Sequence, residues 1–258
     1  METAITLILI LLLAYLLYDQ YGTKSGGGIM TRGRLCDYMA TGSVFEDPKT
    51  ALARGVRLLE LHVYSDERDQ PVVATKPQND GYDVSLENVS FEQCCVDIAN
   101  DAFPSKDPLI LSLMFHTDKA VVMDRVADHL QTTVHRHLIS AKDIQREPID
   151  MFANKLLLVS GGSISGTRLD PLVNLSWNDS GLRRLTYQQA LHPRDAVNLV
   201  GFNRDNITMV VPEVSLTSVN VNPERPRAMG CQWNFVGDGP AGFVAKPERL
   251  THRFFPMR

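Results

Sequence analysis

The chain has 258 residues, with 26 Lys and Arg against 30 Asp and Glu, a net charge of −4 and 44% hydrophobic residues. That composition is ordinary for a globular protein of one large or two small domains. No dense Lys/Arg stripe occurs, so nucleic acid is excluded as a partner. The four cysteines, Cys36, Cys94, Cys95 and Cys231, form no Cys-x-x-Cys pair, which argues against zinc and for free buried thiols. Four Asn-x-Ser/Thr triplets, at Asn88, Asn174, Asn178 and Asn206, carry little weight because such triplets arise often by chance.

Residues 4–18, AITLILILLLAYLLY, are apolar apart from three hydroxyls. Glu2 precedes them and no small-x-small cleavage site follows, so the reading is an uncleaved N-terminal transmembrane helix over residues 1–21 rather than a signal peptide. Lys24, Arg32 and Arg34 follow the apolar run, and the positive-inside rule then places the folded domain of a single-pass membrane protein on the cytosolic side. Residues 22–33, containing Ser25-Gly-Gly-Gly28, read as a flexible tether.

Beyond the tether, strand-like and helix-like stretches alternate. Strands are expected at Arg57–Tyr64, Gln70–Thr75, Leu109–Met114, Lys155–Ser160, Ile207–Val211 and Cys231–Val236. The continuous apolar run Leu109–Met114 suits a parallel strand buried on both faces. Ser90 and Gln93 fit a capping box opening one helix, and Thr117 is a candidate cap for the next, where Val122, Val126 and Leu130 recur at helical spacing. This alternation predicts an α/β fold, a (β/α)8 TIM-type barrel over residues 34–250, with residues 251–258 as a C-terminal tail. A doubly wound sheet is the rival, but no GxGxxG follows a strand. Gly161-Gly-Ser-Ile-Ser-Gly166 reads as the start of a linker between the halves 34–160 and 182–250.

Several fragments then fall into one order. Cys36-Asp37-Tyr38-Met39-Ala40-Thr41-Gly42, Glu60-Leu61-His62, Ala74-Thr75-Lys76 and Leu111-Ser112-Leu113-Met114-Phe115-His116 resemble the successive strand-end motifs of the X half of eukaryotic-type phosphoinositide-specific phospholipase C. Asn220-Val-Asn222-Pro223, Gly230-Cys231-Gln232 with Asn234-Phe235, and Gly242-Phe243-Val-Ala-Lys246-Pro247 resemble its Y half.

That family works with two histidines and a calcium ion held by Asn and carboxylates. The resemblance places its first histidine at Cys36, its calcium-binding Asn at Asp37, its Glu at Glu60 and its Asp at His62. Its second histidine falls at Thr75, its last calcium-ligand Glu at Met114 and its phosphate-binding Arg at Ser215. Asp37 and Glu60 would remain as a vestigial calcium site, short of the six to eight oxygens that calcium takes, so no cofactor is expected. His62 and His116 would lie at the C-terminal ends of barrel strands, with Glu60 on the same side as His62. His135 and His137 do not share a helix face, which argues against metal there.

These residues imply a membrane-anchored, phospholipase-C-like pseudoenzyme with protein partners and a structural or adaptor role, for instance in a membrane-associated assembly such as a virion inner membrane. The alternatives are an active phosphodiesterase using Glu60, His62 and His116, and a non-catalytic phosphoinositide-binding module drawing charge from Lys76, Arg204 and Lys246.

Overall fold

The computed structural model describes residues 33–74, 88–213, 222–235 and 242–252. After a 3-10 turn at Leu35–Asp37, β1 (Tyr38–Thr41) and β2 (Ser43–Val44) form one extended run broken at Gly42. Then come α1 (Pro48–Ala53), β3 (Leu58–Ser65), β4 (Pro71–Ala74), β5 (Asn88–Ser90), α2 (Phe91–Asp101), β6 (Leu109–Phe115), α3 (Ala120–Thr133), β7 (Leu156–Ser160) and β8 (Leu175–Ser176). The second half holds β9 (Leu182–Thr186), α4 (Tyr187–Leu191), α5 (Ala196–Phe202), β10 (Ile207–Val211), α6 (Glu224–Ala228), β11 (Trp233–Asn234) and β12 (Phe243–Ala245).

The strands pair in parallel in the order β9, β10, β11, β1 with β2, β3, β6, β7, β8. The first strand joins the two halves: Ala40 and Thr41 pair with Trp233 and Asn234 on β11, and Ser43 and Val44 pair with Leu59 and Glu60 on β3. Gly42 stands between the two ladders because a Cβ there would fall 2.4 Å from the Phe235 ring. Three strands run antiparallel as additions, β12 on β1, β4 on the end of β3, and β5 on β4.

Strand alternation sorts the core into layers. Leu59, Leu61, Val63, Leu109, Leu111, Leu113, Leu156 and Leu158 face α2 and α3 and pack against Phe91, Ile98, Val122, Val126 and Leu130. Their sequence neighbours Leu58, Ile110, Leu157 and Val159 point the other way, into a second cluster with Leu182, Ile207, Met209 and Trp233. Residues from both halves of the chain therefore close one interior, which makes the mixed α/β architecture a single packed unit.

Several expectations are corrected. No helix among the described residues is long and apolar enough to cross a membrane, so the transmembrane helix and the single-pass topology on the cytosolic side are not supported. The longest described helix, α3, has 14 residues, reaching about 21 Å, and carries Asp124, Arg125 and Asp128. Residues 4–18 lie outside the described residues. Gln70–Thr75 supplies β4, an antiparallel hairpin strand rather than a parallel one. The stretch after Ser160 is more than a linker, since its Leu175 and Ser176 form β8 and pair with β7. Ser90 does cap α2 by accepting from the Gln93 amide, but Gln93 turns its side chain to Asp97. Thr117 accepts from the Lys119 amide one turn ahead of α3, whose N-cap is Lys119.

Candidate functional site

The site grows from one side of β3. Leu58, Glu60, His62 and Tyr64 alternate with residues facing the helices, so a buried leucine is followed outward by a carboxylate, an imidazole and a phenol. On the adjacent β6, Ser112 and Met114 lie in register with Glu60 and His62. Across the interior, β9 offers Arg184 between Leu182 and Thr186.

Glu60 is 3% exposed and every oxygen is engaged. Arg184 grips it bidentately, Nη1 to Oε2 at 2.5 Å and Nη2 to Oε1 at 3.0 Å. Ser112 Oγ donates to Oε2 at 3.0 Å, and His62 Nε2 stands 3.2 Å from Oε1. A carboxylate only accepts, so His62 is the donor in that bond. Burial alone would raise the Glu60 carboxyl, but the hydrogen bonds from His62 and Arg184 and the charge of Arg184 outweigh it and hold the group down at about 2. Arg184 is fixed in turn by Met209 Sδ, 3.2 Å away, and by the Trp177 ring, whose centroid is 5.0 Å from its guanidinium carbon. Trp177 fits because Gly161 has no side chain there; a Cβ would meet the indole at 2.0 Å.

The network continues toward solvent. His62 Nδ1 and His116 Nε2 are 2.8 Å apart and share one proton between them. His116 stacks on Tyr64 with ring centroids 4.3 Å apart, and Phe45 covers the other side of His62 at 4.1 Å. Partial burial, with His62 and Arg184 beside it, pushes His116 down to about 4, against an opposite pull from Glu60. His116 is therefore neutral at pH 7 and cannot place a positive charge on a phosphate.

The structure brings together Glu60, His62, Met114 and His116. It does not bring Cys36 and Asp37 to them. Both lie in the 3-10 turn before β1, where Gln232 Nε2 donates to the Cys36 carbonyl and Arg34 pairs with Asp37 at 3.1 Å. Gln232 precedes β11, and its amide also reaches Asn203 and Asn206 just before β10, so this is the N-terminal end of the parallel strands. The first strand ends toward the site at Val44, and Phe45 follows it. Arg204 and Lys246 also belong to the far end, Lys246 donating to the Asn203 carbonyl. Burial lowers Lys246 to about 8 and raises the Cys36 thiol to about 11. Thr75, Lys76 and Ser215 lie outside the described residues.

These side chains do not fit calcium. Both Glu60 oxygens are saturated by four donors, Asp37 is at the wrong end, and His62 and Met114 offer nitrogen and sulfur where the ion takes oxygen. Among the described residues no group of three or more His, Cys, Asp or Glu side chains could hold a metal ion. The residue that sequence reasoning missed is Arg184. Its only sequence signal is a cation two residues after the buried Leu182 on the same strand face.

The mixed α/β fold is shared with solved structures, among them a phosphatidylinositol-specific phospholipase C. Residues 37–157 match the family model for the phosphatidylinositol-specific phospholipase C X domain. In structure it is similar to PLC21 of S. officinalis (TM-score 0.71, 16% identity, 86% of this chain and 38% of that one) and of L. pealei (TM-score 0.69, 16% identity, 91% and 41%). It thus spans about two fifths of the length of those relatives. It is also similar to a Ca2+-dependent phosphatidylinositol-specific phospholipase C of Streptomyces antibioticus (TM-score 0.53, 12% identity, 80% of this chain and 95% of that one). No curated protein sequence matches.

Two outcomes follow from the ion pair. Arg184→Ala leaves a buried carboxylate without its counter-charge and is expected to cost about 3–5 kcal/mol in urea unfolding, whereas Arg184→Ala combined with Glu60→Ala should recover part of that loss; additive losses would show that the pair is not coupled. The Glu60 carboxyl sits at about 2 when folded against an ordinary 4.5, so its stabilisation is complete above pH 4.5 and is lost as pH falls toward 2. The stability gap between the native chain and Glu60→Gln should be constant above about pH 5 and shrink below it; a gap that is flat down to pH 2 would contradict this.

Proposed function

We propose that the chain is a phospholipase-C-like domain without the family's hydrolytic reaction, serving in a structural or adaptor role toward a protein partner. The observation that supports this reading most is the bidentate Arg184 on Glu60. The resemblance makes Glu60 the retained calcium-ligand position, and here its oxygens are taken by side chains of the protein itself. The resemblance puts His62 and Met114 at two further ligand positions, and the first strand ends at Val44 with Phe45 after it, rather than at an imidazole and an amide. Acid–base catalysis of phosphodiester cleavage requires a base, an acid and positive charge on the phosphate, and Arg184 is committed to the carboxylate.

A second reading has one observation in its favour. The chain of hydrogen bonds from Glu60 through His62 to His116 can move a proton between the interior and the strand ends, which is what a general base needs.

One assay separates the two. The full chain is incubated with phosphatidylinositol and its phosphorylated forms, in calcium and in EDTA, beside an active phospholipase C. The expected result is no turnover in either. Turnover in EDTA that disappears in His62→Ala would favour the second reading, and calcium-dependent turnover would overturn both.

A further inference from the structure

A cavity of about 290 Å³ lies on the outer side of the first strand, apart from the Glu60 network. Its wall is made by Met39 and Thr41, which alternate with the inward-facing Tyr38 and Ala40, together with α6 and the turn at Pro247–Leu250. Two arginines line it. Arg227 is largely enclosed, with its side chain 16% exposed, and Arg249 stands at the open rim.

Arg227 is held on one side only by the described residues. A guanidinium has five N–H donors. Among the described residues Arg227 donates one hydrogen bond, Nη2 to Thr41 Oγ1 at 2.6 Å. Its carboxylate neighbour Glu224 is 3.8 Å away, beyond hydrogen-bond distance, and 77% exposed. Among the described residues the guanidinium makes no second hydrogen bond, and it lines the cavity. The Thr41 bond also fixes the guanidinium plane, which favours two-pronged recognition of an oxyanion. Two arginines against one exposed carboxylate leave the cavity net positive, while Met39, Val244, Pro247 and Leu250 give it an apolar side.

We propose that this cavity binds a small organic phosphate monoester, with the phosphate oxygens on Arg227 and Arg249 and a short apolar group against Met39 and Val244. Paired arginines suit a dianion, and the volume is at the small end of ligand pockets. The same phosphomonoester could be a free solute or the exposed headgroup of a lipid. The site is independent of the reading given above for the Glu60 network.

The test uses the full chain and phenyl phosphate as probe, followed by isothermal titration. Loss of charge-assisted hydrogen bonds should weaken binding about 10–100-fold in Arg227→Met, with a smaller loss in the rim variant Arg249→Met, which leaves the enclosed residue in place if Arg227→Met fails to fold. Co-sedimentation with vesicles of phosphatidylcholine containing phosphatidic acid identifies the source. Sedimentation displaced by phenyl phosphate and lost in the variants assigns a lipid headgroup, and solution binding without sedimentation assigns a free ester. No binding of phenyl phosphate by the native chain, or equal binding by both variants, would overturn the proposal.

Discussion

Arg184 and Glu60 are 124 residues apart in sequence and meet in the interior of the parallel strands. A carboxylate that is 3% exposed could not remain ionised there without a counter-charge. The guanidinium supplies that charge with fixed geometry, and it comes from β9, while the carboxylate comes from β3. The two halves of the chain are thus tied at their centre by one ion pair. The surrounding residues are arranged to hold it: Ser112 and His62 complete the carboxylate, Met209 and Trp177 seat the arginine, and Gly161 makes room for the indole.

Arg184, Ser112 and His62 together engage both oxygens of Glu60. The cation beside Glu60 is monovalent and belongs to the chain. The pairing has a chemical consequence. A bound ion can face a substrate with open coordination positions, whereas Arg184 spends two donors on Glu60 and packs its face toward Trp177. The histidines beyond Glu60 then extend a hydrogen-bonded chain outward, with His116 uncharged at neutral pH. The arginine-lined cavity outside β1 lies on a different part of the fold.

Much of the frame was legible from residue pattern alone. Leu109–Phe115 and Ile207–Val211 are apolar runs too short for helices and rich in branched side chains, and both are buried parallel strands. Glu60, His62 and His116 were legible because period-two alternation fixes which residues share a face. Other features depend on contacts that no local pattern carries. Cys36 and Asp37 match a strand end only as a short fragment, while the end of that strand, Val44, is set by the register of β2 on β3. Arg184 has a local sequence, Leu-Arg-Arg-Leu-Thr, that fits an exposed strand as well as a buried one; only the closure of β9 against the β3 side makes it a partner of Glu60. β8 is two residues long and is stabilised by pairing with β7, so it has no periodicity to detect. The N-terminal apolar run predicted a membrane span that no described helix provides.

The most direct measurement is the melting temperature of the full chain in millimolar calcium and in EDTA, with a calcium titration by calorimetry alongside. A ligand that binds only the folded state raises the melting temperature by mass action. If Arg184 has taken the place of the ion at Glu60, the two melts coincide and the titration shows no binding heat. A calcium-dependent rise in melting temperature that is abolished by Glu60→Gln would contradict the account.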